Sequence, residues 1–228
     1  MIAILSAGIA PIVALMSFIY LKDRITEPLP IIVRTFISGT LLVFPIMFIQ
    51  YAITTEHVSD SSFIESFFQI ALFEEFFKWF IFMFLIYNHP EFDNHYDGIV
   101  YAVSISLGFA SVENILYLLT NGIEYAFLRA FFPVSSHALF GIIMGFYLGK
   151  AKMSKQNRKL NIALAFLFPF MLHGTYNFIL KSYSQTSSWF YLLIPFMIVL
   201  WIVALQRMKA ANDSYLNSYE NDKETFLL

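Results

Sequence analysis

Hydrophobic residues gather into seven runs, at roughly 2 to 21, 31 to 53, 63 to 87, 98 to 120, 126 to 149, 160 to 181 and 188 to 206, each near the ~20 residues a helix needs to cross a lipid core. Polar segments such as YNHPEFDNHYDG at 87 to 98 and KAKMSKQNRK at 150 to 159 separate them. The pattern predicts an all-α, polytopic membrane bundle of seven transmembrane helices, or eight if Pro133 or Pro169 marks a break in the fifth or sixth run. The first run has no basic stretch before it and is followed at once by Lys22, Asp23 and Arg24, so it is expected to be a retained helix rather than a cleaved signal. Residues 1–207 are expected to form a single transmembrane domain, and residues 208–228 a polar tail without a site signal.

Composition agrees with the pattern. The chain is 58% hydrophobic and 13% charged, with a mean hydropathy of +0.66, whereas soluble domains carry about 25% charged residues. The partner this implies is the lipid bilayer, and nothing points to nucleic acid. There is no cysteine, which excludes disulfides, a cysteine nucleophile and thiolate metal ligands. Lys22, Arg24, the 150–159 run, Arg207 and Lys209 fall in one set of alternating loops. The other set contains TTEHVSDSS, TNGIEY and SQTSS, with Lys181 its main exception. The positive-inside rule then puts the N-terminus outside and the C-terminus in the cytoplasm of a multi-pass plasma-membrane protein. The 87–98 loop follows as cytoplasmic, although it carries no Lys or Arg.

Several ionisable side chains lie inside these runs, and such groups normally face a shared interior cavity that marks a relay, a path or a catalytic site. Counted from the outer span ends, Glu74 and His137 lie roughly 16 Å deep, His173 roughly 12 Å and Glu113 roughly 10 Å, so four helices deliver them to one slab. In ALFEEFFKWF, Lys78 follows Glu74 by four residues and Glu75 by three, so either carboxylate can pair with it while the other faces a cavity; a structural ion-pair clamp is the plainer reading. In HGTYNF, His173 and Asn177 share a helix face and could donate to an oxyanion or simply bond between helices, with Gly174 allowing close approach. The Gly141, Gly145, Gly149 ladder around His137 reads as packing, and Asn114 beside Glu113 as a capping or packing residue.

Elimination narrows a proteolytic reading. All six Asp, at 23, 60, 93, 97, 213 and 222, are expected in loops or the tail, which removes a paired-aspartate mechanism. No HExxH occurs, no Gly-x-Ser-x-Gly elbow occurs, and Ser135 and Ser136 adjoin His137 on a helix, where neighbours do not face each other. A glutamate acting on water with histidine assistance remains, with or without a metal. A proton-coupled transporter would use a similar Glu and His cluster, but the expected inverted repeat is not visible. A membrane immunity or interaction protein without catalysis is the third class.

The segments EEFFKW, HYDGIVYA, SLGFASVENILYL, PVSSHALFGIIMGFYLGKA and HGTYNFIL resemble the PrsW family of bacterial membrane proteases, and the similarity runs from the first span to the seventh. That family is similar in turn to the CAAX-type prenyl proteases and bacteriocin-immunity proteins. The resemblance implies a peptidase making the site-1 cut in a single-span anti-sigma factor of the sigma-W stress pathway. It matches Glu74 and Glu75 to a Glu-Glu motif, His137 to an isolated histidine, and His173 with Asn177 to a His-x-x-x-Asn motif. The chain departs from the CAAX group where that group has Arg four residues after the second Glu, offering Trp79 and, one position earlier, Lys78. It departs again where Phe109 is followed by Glu113 instead of histidine.

From both lines, Glu74 is expected to act as general base on water while Glu75 pairs with Lys78. His173 and Asn177 are expected to stabilise the oxyanion, and His137 to orient the water or protonate the leaving amine. Glu113 either polarises a histidine or ligates a metal. If zinc is present, Glu74, His137 and His173 are its expected ligands.

Overall fold

Each apolar run folds as a helix in the computed structural model, which describes residues 1–56, 61–182 and 189–226, with side chains described as far as Ser214. The helices are α1 (Ile2–Lys22), α2 (Leu29–Thr55), α3 (Ser62–Ile64, Glu65–Ala71 and Leu72–Leu85 in one continuous rod), α4 (His95–Asn121), α5 (Ile123–Met153), α6 (Arg158–Ser182) and α7 (Trp189–Phe226). Among the described residues there is no strand. Six helices are long and apolar enough to cross a membrane. The exception is α3, whose length suffices but whose middle holds Glu74, Glu75 and Lys78. Neither proline divides its helix: α6 runs unbroken through Pro169, and α5 accommodates Pro133 in a π-helical stretch, Ala130–Val134.

Local chemistry sets several ends. Asn94 and Asp97 form a capping box that starts α4, the Asn94 amide donating to Asp97 Oδ2 at 2.6 Å. Gly122, at φ 108°, ends α4 in a conformation that favours glycine and turns the chain into α5. The last helix continues without a break at 207, and Met208 and Ala211 beyond that point are buried. Residues 57–60 and 183–188, with Asp60 and SQTSS, lie outside the described residues, as do the tail's side chains beyond Ser214.

Burial shows which helices are central: 78% of the most apolar stretch of α4 and of α5 is buried, against 17% in α1. Those two helices meet backbone to backbone along the glycine ladder. A Cβ at Gly145 would collide with the Gly98 carbonyl, one at Gly149 with the His95 carbonyl, and one at Gly141 would lie 3.0 Å from Val103 Cα. Gly174 of α6 likewise has no room for a Cβ beside the Phe67 ring of α3. The outer helices turn apolar side chains away from the protein, as Leu41, Phe44, Phe48 and Tyr51 do on α2. Helix α3 splits cleanly: Phe76, Phe80 and Phe84 form an exposed stripe, while Glu74, Glu75, Lys78 and Phe82 face inward.

Candidate active site

Four buried side chains from three helices converge in the interior. Glu74, Glu75, His137 and His173 each offer one ligand-type atom, and these atoms all lie within 4.8 Å of one another. Local helix geometry helps to aim them. A π-helical stretch, Glu65–Ala71, immediately precedes the Glu doublet, and another, Ala130–Val134, ends three residues before His137. Such turns shift the register of the residues after them and recur at functional sites. Pro133 gives a cause for the second, since it has no amide to donate; nothing in the sequence of the first has so direct an explanation.

The doublet divides its roles. Glu75 is fully buried and occupied twice through Oε1, which accepts from Lys78 Nζ at 2.8 Å and lies 2.8 Å from His173 Nδ1. Glu74 accepts from Gln50 Nε2 at 3.2 Å through Oε1. Its Oε2 is buried without a hydrogen-bond partner, 3.7 Å from Lys78 Nζ and 3.9 Å from His173 Nε2. Lys78 also reaches His137 Nδ1 at 3.1 Å and stands 4.4 Å from the centre of the Phe109 ring, an ammonium over an aromatic face. His137 places Nε2 3.0 Å from Glu113 Oε2, so Glu113 sits where it fixes that imidazole's tautomer. The two imidazoles meet nearly at right angles, with centroids 5.2 Å apart.

Glu113, 38% exposed at its side chain, is the most open member of the group. Asn177 is half-buried and makes no hydrogen bond to another described residue. Asn114 packs rather than caps: its amide donates to the Gly8 carbonyl at 3.0 Å, tying α4 to α1. The serines beside His137 are spent on backbone, Ser136 Oγ donating to Pro133 O at 2.8 Å and Ser135 Oγ to Phe131 O.

Two members were not legible in the sequence. Gln50 is a lone amide in an apolar helix, which usually means nothing. Arg129 lies nearly two turns inside α5, where it donates to Asn114 at 2.7 Å, stacks over Tyr117 and approaches Glu113 at 4.0 Å. An arginine inside an apolar run was the available signal. The aspartates also need a correction. Asp97 belongs to the first turn of α4 rather than to a loop, while Asp23 lies in the loop after α1 as expected; the two come together with Glu27 at the opposite end of the bundle.

A model of the PrsW family, described as an intramembrane metalloprotease family, matches residues 27–204. The chain is 71% identical to the protease PrsW of Oceanobacillus iheyensis over 94% of its own length and 98% of the other's. It is 52% identical to the protease PrsW of Bacillus subtilis over 92% and 96%, and 31% identical to that of Clostridioides difficile over 92% and 90%. No solved structure matches the chain.

Proposed function

The chain belongs to the PrsW family of intramembrane proteases and is a multi-pass membrane peptidase, and from that premise we propose that it makes the first cut in a single-span anti-sigma factor with Glu74 activating the attacking water. The transporter and non-catalytic alternatives lapse with the family assignment. The asymmetry of the doublet carries the choice of base: each glutamate keeps an unpartnered Oε2, but Glu75 is held at 2.8 Å by both Lys78 and His173, whereas Glu74 has only the 3.2 Å contact from Gln50 and turns its Oε2 towards His173 Nε2. An oxygen so placed takes a proton from water without breaking an existing bond.

The remaining roles follow from the hydrogen bonds. Glu75 accepting from His173 Nδ1 leaves Nε2 turned towards Glu74, and in the imidazolium form that nitrogen donates to the developing oxyanion. Asn177, one turn further along α6 with an uncommitted amide, is the second donor to that oxyanion. Glu113 accepting from His137 Nε2 leaves Nδ1 facing the cluster beside Lys78, and the proton that Glu74 takes from the water is passed on to the leaving amine through that nitrogen.

The donor set also fits zinc. Glu74 and Glu75 each have an unpartnered buried oxygen, and each histidine has a carboxylate on the ring nitrogen away from the centre, the usual support of a metal-binding imidazole. Glu74, His137 and His173 would hold the ion, which would supply a Lewis acid and a more acidic bound water. Lys78 contacts the same His137 nitrogen and would have to release it.

The orientation proposed from the basic loops, N-terminus outside and C-terminus cytoplasmic, puts the cluster in the outer half of the membrane. A substrate helix unwinds most easily near an interface, because freed backbone groups find water there. The experiment is cleavage of a reconstituted single-span anti-sigma factor with mass-spectrometric mapping of the product ends. The cut is expected near the outer end of the substrate's transmembrane segment, and a cut on its cytoplasmic side overturns the orientation or the site. Cleavage is expected to survive strong chelation where Glu74 alone activates the water, and to fail and recover with Zn²⁺ where Glu74, His137 and His173 hold a metal.

A further inference from the structure

Three acids that no catalytic step uses meet at the other end of the bundle. Asp23 follows α1, Glu27 precedes α2 and Asp97 lies in the first turn of α4; each offers one carboxylate oxygen, and these three lie within 4.8 Å of one another. They are 8%, 5% and 0% exposed. Each has one oxygen committed. Asp23 Oδ1 accepts from the Ile25 amide at 3.2 Å, Asp97 Oδ2 from the Asp93 and Asn94 amides at 3.0 and 2.6 Å, and Glu27 Oε2 from the Tyr101 hydroxyl. Asp23 Oδ2 and Asp97 Oδ1 are buried with no hydrogen-bond partner.

What is missing is positive charge. Among the described residues, no Lys, Arg or His forms an ion pair with any of the three. Lys22 adjoins Asp23 but turns over the Phe18 ring instead, and Glu91 and Asp93 add further negative charge beside Glu27. Buried carboxylates without a counter-charge are costly. A proton shared between Glu27 and Asp97 would bridge one gap and leave Asp23 Oδ2 unanswered.

We propose that Asp23, Glu27 and Asp97 bind a hard divalent cation, Mg²⁺ or Ca²⁺, which ties the α1–α2 turn to the start of α4. The donors are all oxygen, with no imidazole, which selects a hard ion over zinc. Their spacing suits an ion that takes oxygens at about 2.0–2.6 Å, because opposite ligands then stand roughly 4–5 Å apart. The remaining ligands would be water and backbone carbonyls of the turn.

The test is equilibrium binding to the full chain in detergent, by calorimetry with Mg²⁺ and Ca²⁺ separately and by electron paramagnetic resonance with Mn²⁺ as probe. Wild type is compared with a Glu74→Gln/His173→Ala background that silences the active-site cluster. One ion per chain is expected to persist in that background and to raise the thermal midpoint. Asp23→Asn, whose amide oxygen can still accept from Ile25, is expected to weaken binding about tenfold or more and abolish the thermal shift. Because Asp97 also caps α4, Glu27→Gln is the second variant, with the same expectation. No saturable binding of any of the three ions at millimolar concentration would overturn the proposal. So would binding that neither variant changes, or a midpoint that rises only with falling pH, the signature of a shared proton.

Discussion

Glu74 and Glu75 are neighbours in sequence with different surroundings, Glu75 clamped at 2.8 Å between an ammonium and an imidazole and Glu74 hydrogen-bonded only by Gln50. The clamp predicts a stability asymmetry. Lys78→Met leaves Glu75 buried with only His173 beside it, and breaking a buried pair in this way costs about 3–5 kcal/mol. Unfolding in mixed micelles should show a loss of that order, with most of it recovered in Glu75→Gln/Lys78→Met. A Lys78→Met protein as stable as wild type would show that the pair contributes little. At this scale the sequence was informative wherever a charge interrupted an apolar run, because burying it in lipid demands a partner. Glu74, Lys78, Glu113, His137 and His173 stood out for that reason. Gln50 and Arg129 did not, since an amide is common in apolar helices and a cation near a span end is usually solvated.

Seven helices could be placed from hydropathy because crossing a membrane forces about 20 apolar residues into one segment. Their internal geometry was less accessible: Pro133 announced a disturbance in α5, but the π-helical stretch Glu65–Ala71 of α3 carries no Pro or Gly to betray it. If the α5 stretch aims His137, then Pro133→Ala, which restores an amide and permits an ordinary α-turn, should rotate His137 away from Glu113 by up to about 100° for a one-residue register change. Activity is expected to fall by roughly 10²-fold with helix content unchanged; wild-type activity would make the π-turn incidental. The glycine ladder is legible as packing from the sequence alone, because closely spaced small residues have little other use on a helix. Gly145→Val should cost at least about 1–3 kcal/mol, since the Gly98 backbone it meets cannot move aside as a side chain could. An unchanged midpoint would mean that α4 and α5 can separate without penalty.

The whole molecule gathers its connections at two ends. Asn212 donates to the Lys22 carbonyl and Lys152 to the Tyr87 carbonyl, so the turns bearing most of the basic residues share one end with the Asp23, Glu27 and Asp97 cluster. At the other end lie Asn121 and the pair of Lys181 with Glu65, so the cation that breaks the charge pattern of the loops sits in the last turn of α6 opposite a carboxylate. The chain has no cysteine, so a single introduced thiol reports its side unambiguously. Impermeant labelling of intact cells should modify Asn121→Cys and spare Lys155→Cys; the reverse would invert the bundle and move the proposed cut to the opposite leaflet. Side chains from α2, α3, α4, α5 and α6 meet around Glu74, and the bundle is proposed to build one activated water there. The most direct measurement is the cleavage rate of a reconstituted single-span anti-sigma factor by Glu74→Gln beside wild type, with insertion and thermal midpoint measured on the same samples. Loss of the general base predicts a fall of roughly 10²- to 10⁴-fold in a protein that is otherwise inserted and stable. Retention of more than about a tenth of the wild-type rate would contradict a general-base role for Glu74.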